Sequence, residues 1–162
     1  MSGLLEKTRT RGHWTVVIRP VEFVQARVED VMDLRPILEK AVVRVRGWDF
    51  PHLGQEEEAE VGADWTSQET EWEHHLEAWR FHQSGQFAHL SGIWEDWRDQ
   101  SGWLPAWEGW QWGQRLPVVD TVHRFTEIFE FAARLALTKA GGDAMYVEAS
   151  LKGLRRRNEI TG

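Results

Sequence analysis

Residues 116–140 constrain the fold more than any other part of the chain. Val118, Val119, Val122, Phe125, Ile128, Phe129, Phe131, Ala132, Leu135, Ala136 and Leu137 recur at helical spacing and cover most of the circumference of one continuous helix. Gly141-Gly142 stops it, because glycine accepts the left-handed backbone that ends helices. A helix apolar on most sides is expected to be central and largely buried. It needs a broad partner layer, and the remaining segments offer the strands of a sheet.

His13–Arg19 alternates, with Trp14, Val16 and Ile18 on one face, and Pro20 ends it. Val24, Val28, Val31, Leu34 and Leu38 give residues 21–40 helical spacing, kinked or split at Pro36, with Asp33 placed to cap a second piece. Ala41–Trp48 reads as a second strand, with Val43 and Val45 opposite Arg44 and Arg46. Residues 72–95 read as a hairpin turning at Ser84-Gly85-Gln86. A two-residue turn there places Trp79 and Phe81 with Ala88 and Leu90, and Arg80 and His82 with Phe87, His89 and Ser91; a bulge would reverse this parity. Residues 143–152 alternate again as a last strand.

The expected class is α+β: a mixed five-stranded sheet with two main helices on one face, in the order β-α-β-β-β-loop-α-β. At 162 residues the chain has the length of one domain. That domain is expected over residues 13–155, with a Trp-rich insertion at 94–112. A frayed N-terminus (1–12) precedes it and a basic tail (156–162) follows. Cysteine is absent, which removes disulfides and thiolate chemistry. There is neither a secretory leader nor an 18-residue apolar run, so a cytoplasmic protein off the membrane is expected. The net charge of −7 disfavours nucleic acid as a partner for the whole surface. The cations of the tail, Lys152 and Arg155 to Arg157, are expected to be solvated or to meet an acidic partner.

Three groups of residues could carry chemistry. The first is cationic: Arg44 and Arg46 on the second strand, with Arg80, His82 and His89 on the hairpin. On one sheet face they would form a plate for a phosphate, nucleotide or carboxylate, with His52 at its edge. Against this, the plate could be wet, covered by indoles, or neutralised by the acidic loop at 55–64. Between Gly47 and Trp79 there are ten Asp or Glu and no Lys or Arg. The second group is the stripe His123, Glu127, Glu130 and Arg134. Two carboxylates and a histidine there could hold a divalent metal or act as a base, but the stripe reads first as an exposed face with a Glu130–Arg134 pair. A buried Glu127 or Glu130 would need a partner such as Arg46 or His52. The pair His74-His75 beside Glu71 and Glu73 lacks a metal-site spacing, and no metal or cofactor is expected. No nucleophile elbow, Walker A or dinucleotide motif is present, so catalysis has no positive signature.

The third group is the Trp-rich segment, which holds six of the eleven tryptophans and only one cation, Arg98. Base stacking wants positive charge nearby, so docking of another protein is the stronger reading. Trp97, Trp103, Trp107, Trp110 and Trp112 are its candidate contacts, helped by Trp48 and Trp65.

Three strings, Arg46-Gly-Trp-Asp-Phe-Pro-His52, Phe81-His-Gln-Ser-Gly-Gln-Phe87 and Thr126-Glu-Ile-Phe-Glu-Phe-Ala-Ala-Arg-Leu-Ala136, resemble segments found in this order in a group of uncharacterised bacterial proteins. The resemblance spans about residues 13–155. It implies a bacterial cytosolic domain, alone or within a longer chain, and assigns no residue a role.

The leading expectation is a non-enzymatic interaction domain, a subunit or accessory factor docking through the Trp-rich surface, with self-association open to it. The alternatives are a sensor or small enzyme gripping an anionic ligand, and a nucleic-acid-binding accessory protein.

Overall fold

The computed structural model describes residues 3–55, 58–103 and 105–154. The elements are helix α1 (Gly3–Arg9), strand β1 (His13–Pro20), helix α2 (Leu34–Ala41), strands β2 (Glu60–Val61), β3 (Trp65–Trp72), β4 (His75–His82) and β5 (Phe87–Gly92), helix α3 (Val118–Ala136) and strand β6 (Met145–Lys152). Short 3-10 turns cover Val31–Asp33 and Trp94–Gln100. The class is α+β, and the strands form one six-stranded sheet in the order β2-β3-β4-β5-β1-β6. Every neighbouring pair is antiparallel, so the sheet is not mixed.

Several expected elements move. Residues 42–50 form a loop pinched by a single bridge between Val43 and Phe50, not a strand. Four alternating residues were too short a run to make one. The added strands are the two-residue β2 and β3; the polar, acidic sequence of β3 hid it, and only its first half is buried. Residues 21–30 are irregular, and the helical segment starts at the 3-10 turn, whose Asp30 side chain accepts from the Met32 N–H. Residues 3–9 are helical rather than frayed, because Leu4 packs with Leu76 and Trp97. The cations at 155–157 lie outside the described residues.

The β4–β5 turn falls where its residues put it, but its parity is reversed. Gly85 donates to the His82 carbonyl and His82 donates to the Gln86 carbonyl, closing a three-residue loop. Gly85 takes φ +84° as the extra residue of a bulge. Trp79 therefore faces the same way as His89, and Phe81 the same way as Phe87. A Cβ at Gly85 would also lie 2.2 Å from the Ala140 carbonyl oxygen. Gly85→Ala is expected to cost at least about 1–2 kcal/mol in denaturant unfolding; an unchanged midpoint would contradict this turn geometry.

The registers align side chains in rows across one face of the sheet. The first row is Thr66, Phe81, Phe87, Ile18 and Val147; the second is Gln68, Trp79, His89, Val16 and Ala149. The third is Thr70, Glu77, Ser91, Trp14 and Leu151, and the last is Trp72 beside His75. The first two rows meet α2 and α3 in the main core, around Leu38, Phe50, Ile128, Phe131 and Leu135. Polarity rises row by row, and beyond the second row the helices no longer seal the face. The opposite face carries Leu76 under α1 and Trp97. Helix α3 buries only Glu127, Ile128, Phe131, Ala132 and Leu135. Val118, Val119, Val122 and Phe129 are exposed, so its second apolar side is not core.

Candidate functional site

At the polar end of the rows lies a cavity of about 430 Å³, within the size range of small-molecule sites. Its floor is Glu77, Ser91 and Gly92; its walls are Arg46 and Trp48 from the 42–50 loop, Trp72, His74 and His75 from the β3–β4 hairpin, Asp120 and Arg124 from α3, and Trp94 and Trp103 from the Trp-rich segment.

Local chemistry holds each wall. Glu77 is buried and accepts from Trp48 Nε1 at 2.9 Å, from the His52 backbone N–H at 2.8 Å, and contacts His89 Nε2 at 3.0 Å. Burial pushes its carboxyl up, but the His89 pairing, the Trp48 bond and the Arg124 charge outweigh this and hold it at about 2. One carboxylate thus fastens the loop to the sheet, and Trp79 adds a bond from its Nε1 to the His52 carbonyl at 2.8 Å. Over that anchor the rings stack: Trp48 lies 3.9 Å from His75 and 4.2 Å from His52, nearly parallel to both. Burial first, then the neighbouring His74, lowers His75 to about 4, so it stacks as a neutral ring.

A second cluster ties the loop to α3. The buried Glu127 takes Arg46 in a two-pronged bond, 2.8 Å on each oxygen. Arg46 also donates to Asp120 at 3.0 Å, and Asp120 accepts from Trp94 Nε1 at 3.1 Å. Desolvation works against Arg46, but the Glu127 and Asp120 partners prevail and its pKa is raised. Arg124 differs. Its side chain is 14% exposed, its ion pair to Glu127 is loose at 3.4 Å, and Arg46 has already taken that carboxylate. Desolvation lowers its pKa, opposed by Glu127 and Glu77. Two polar atoms of cavity-lining residues are buried without a hydrogen-bond partner, Ser91 Oγ and His74 Nδ1.

The Trp-rich segment closes the far side. Asp96 staples it, accepting from the Gly12 N–H at 3.0 Å and the Gly113 N–H at 2.8 Å. Trp97 is 1% exposed over Gly92 and Leu76, so it is core and not a docking contact. Trp107 lies against Arg98 and Arg115, Trp110 donates to the Glu95 carbonyl, and both are half-buried, as is Trp112. Trp103 is 57% exposed at the cavity mouth.

The expected cationic plate does not assemble, because the bulge and the missing strand put its members on different surfaces. Arg46, His52 and His89 converge near Glu77 and Glu127. Arg44 is exposed and pairs with Asp49. Arg80 lies over Trp65 on the opposite sheet face, and His82 sits 3.9 Å from Asp64. Glu130 is exposed and accepts from Arg134, as read from their spacing. The buried Glu127 does find Arg46. Glu77, Ser91, Asp120 and Arg124 were missed; the signal for Glu77 was a carboxylate on the same strand face as Trp79 and Phe81.

Comparison of the chain with protein-family models, with curated proteins and with solved structures gives no match. Among the described residues no helix is long and apolar enough to cross a membrane.

Proposed function

We propose that this chain is a small-molecule-binding domain whose cavity takes a flat ring bearing one anionic group. The observation that carries this reading is Arg124, a sequestered guanidinium whose one ion-pair partner among the described residues, Glu127, is already shared with Arg46. Guanidinium donors withdrawn from water favour an anion. The indoles of Trp48, Trp72, Trp94 and Trp103 favour a planar group beside it. Glu77 and Asp120 on the lining disfavour a polyphosphate, so a nucleoside monophosphate or an aromatic carboxylate fits better than a triphosphate.

The test is a thermal-shift panel of nucleoside 5′-monophosphates and aromatic carboxylates, with inorganic phosphate and uncharged nucleosides as controls. A fitting ligand at about 100 times its Kd stabilises by about 2.7 kcal/mol, or about 5–10 °C in Tm for a chain of this size. Arg124→Met is expected to remove the shift, since Glu127 keeps Arg46. A panel without any shift, or a shift that survives Arg124→Met, overturns the reading.

A second reading, an interaction domain docking a partner protein, is supported by the exposure of Trp103 (57%) and Trp72 (51%) at the cavity mouth. Trp72→Ala with Trp103→Ala would then abolish partner binding while anionic ligands give no shift in the unmodified chain.

A further inference from the structure

Strand β6 is an edge of the sheet, eight residues long, and no described strand pairs with its outer side. The hydrogen bond from the Val21 N–H to the Ala144 carbonyl, at 3.0 Å, sets its phase. Continued along the β1–β6 register, even-numbered β6 residues bond inward to β1. The backbone groups of Met145, Val147, Ala149 and Leu151 therefore point outward, an open template for another strand.

Helix α3 packs over β1 and β6 and beside α2. Its flank toward α2 and the 42–50 loop carries Glu127, bonded to Arg46, and Arg134, which donates to the Val42 carbonyl. The opposite flank carries Val118, Val122, Phe125 and Phe129, a helical stripe 40–75% exposed. Phe125 touches Trp14, which pairs with Leu151 of β6, so the stripe runs along the open edge.

We infer that the open edge of β6 and the apolar stripe of α3 together form an interface with a second copy of this chain, pairing β6 to β6 antiparallel about a twofold axis. Symmetry and charge select the register. Outward-pointing residues must pair with outward-pointing residues, which leaves pairings centred on a single residue. Centring on Glu148 sets two carboxylates face to face. Centring on Ser150 sets each Glu148 opposite Lys152 of the other copy, twice, with Ala149 and Leu151 exchanging hydrogen bonds. A twofold axis through the sheet keeps both α3 helices on one face. With strands about 4.8 Å apart, the helix axes come to lie roughly 10–14 Å from each other. Packed helices sit about 8–10 Å apart, so the Phe125 and Phe129 rings of both copies fill the space between.

The experiment is sedimentation velocity on the full chain. The expected species is a dimer of the 18.9 kDa chain. Phe129→Glu is expected to give the monomer. So is Ala149→Pro, which removes an outward N–H and leaves the ladder to β1 intact. Lys152→Glu is expected to weaken the dimer, and Glu148→Lys with Lys152→Glu to restore it. If Ala149→Pro fails to fold, the surface substitution and the charge swap still decide. A chain monomeric at its highest soluble concentration overturns the inference. So does a dimer indifferent to Phe129→Glu, and a charge swap without rescue overturns the register.

Discussion

Glu127→Ala is expected to destabilise the protein by about 3–5 kcal/mol, the usual cost of stranding a buried partner of opposite charge. In a chain of this size that is a fall of roughly 6–20 °C in Tm. Glu127 is 1% exposed and faces two guanidiniums. Without it, Arg46 keeps Asp120 alone, and Arg124 loses its ion-pair partner and keeps only the more distant charges of Glu77 and Asp120. The cost falls on both Arg46, which holds the loop, and Arg124, which lines the cavity. Glu130→Ala, three residues along the same helix, is the control. Its pair with Arg134 is almost half exposed, and such a pair contributes about 0–1 kcal/mol. Equal losses from the two substitutions would mean that the Arg46–Glu127–Arg124 cluster is not the junction described.

Acid is expected to unfold the protein in two stages. His75 is held at about 4 against an ordinary 6.5. Between these values the unfolded chain binds the extra proton, so stability falls as pH drops from about 6.5 through 4. Burial lowers His74 and His82 as well, in the same direction, with Glu73 and Asp64 opposing. Glu77 supplies the lower stage, similar in size to that of His75. Its carboxyl is held at about 2 against 4.5. The stability it contributes is fully present above 4.5 and is lost as pH falls through 2, about 3 kcal/mol in all. Denaturant unfolding from pH 7 to 2 measures both stages. Glu77→Gln is expected to lower stability at pH 7 and to flatten the profile below pH 4.5. A variant whose slope below pH 4.5 matches the unmodified chain would rule out Glu77 as the carboxylate that fastens the loop.

How much of this was legible depends on how far each signal reached. β1, β6 and the β4–β5 turn rest on local alternation and turn chemistry, and they stand where those patterns put them. The facing of β5 depended on one extra residue, since Gly85 makes a bulge that turns His89 inward. β3 carries Glu69, Glu71, Thr66, Thr70 and Ser67; its polar composition mimicked a loop because half of it faces water. α3 looked largely buried because its exposed stripe is as apolar as its core stripe, and spacing cannot say which stripe meets the sheet. Arg46 was one of two candidate partners, with His52, for a buried Glu127 or Glu130, because a buried carboxylate demands one. Arg124 and Asp120 gave no such demand in the sequence. They matter only because a loop eighty residues earlier folds against them. The Trp-rich segment has no period to read, and Asp96, which fixes it, makes its bonds to backbone far away in the chain.

The distribution of the indoles has an optical consequence. With eleven Trp and one Tyr, nearly all near-ultraviolet emission comes from tryptophan. Four of those rings line the cavity, and none lies on α3 or β6. Filling the cavity should therefore change the intensity and wavelength of the intrinsic fluorescence, whereas joining two chains through β6 reaches the indoles chiefly through Trp14, which is 6% exposed beside Phe125, and should change both far less. The chain thus carries its own unlabelled reporter, one that separates occupancy from self-association in a single titration.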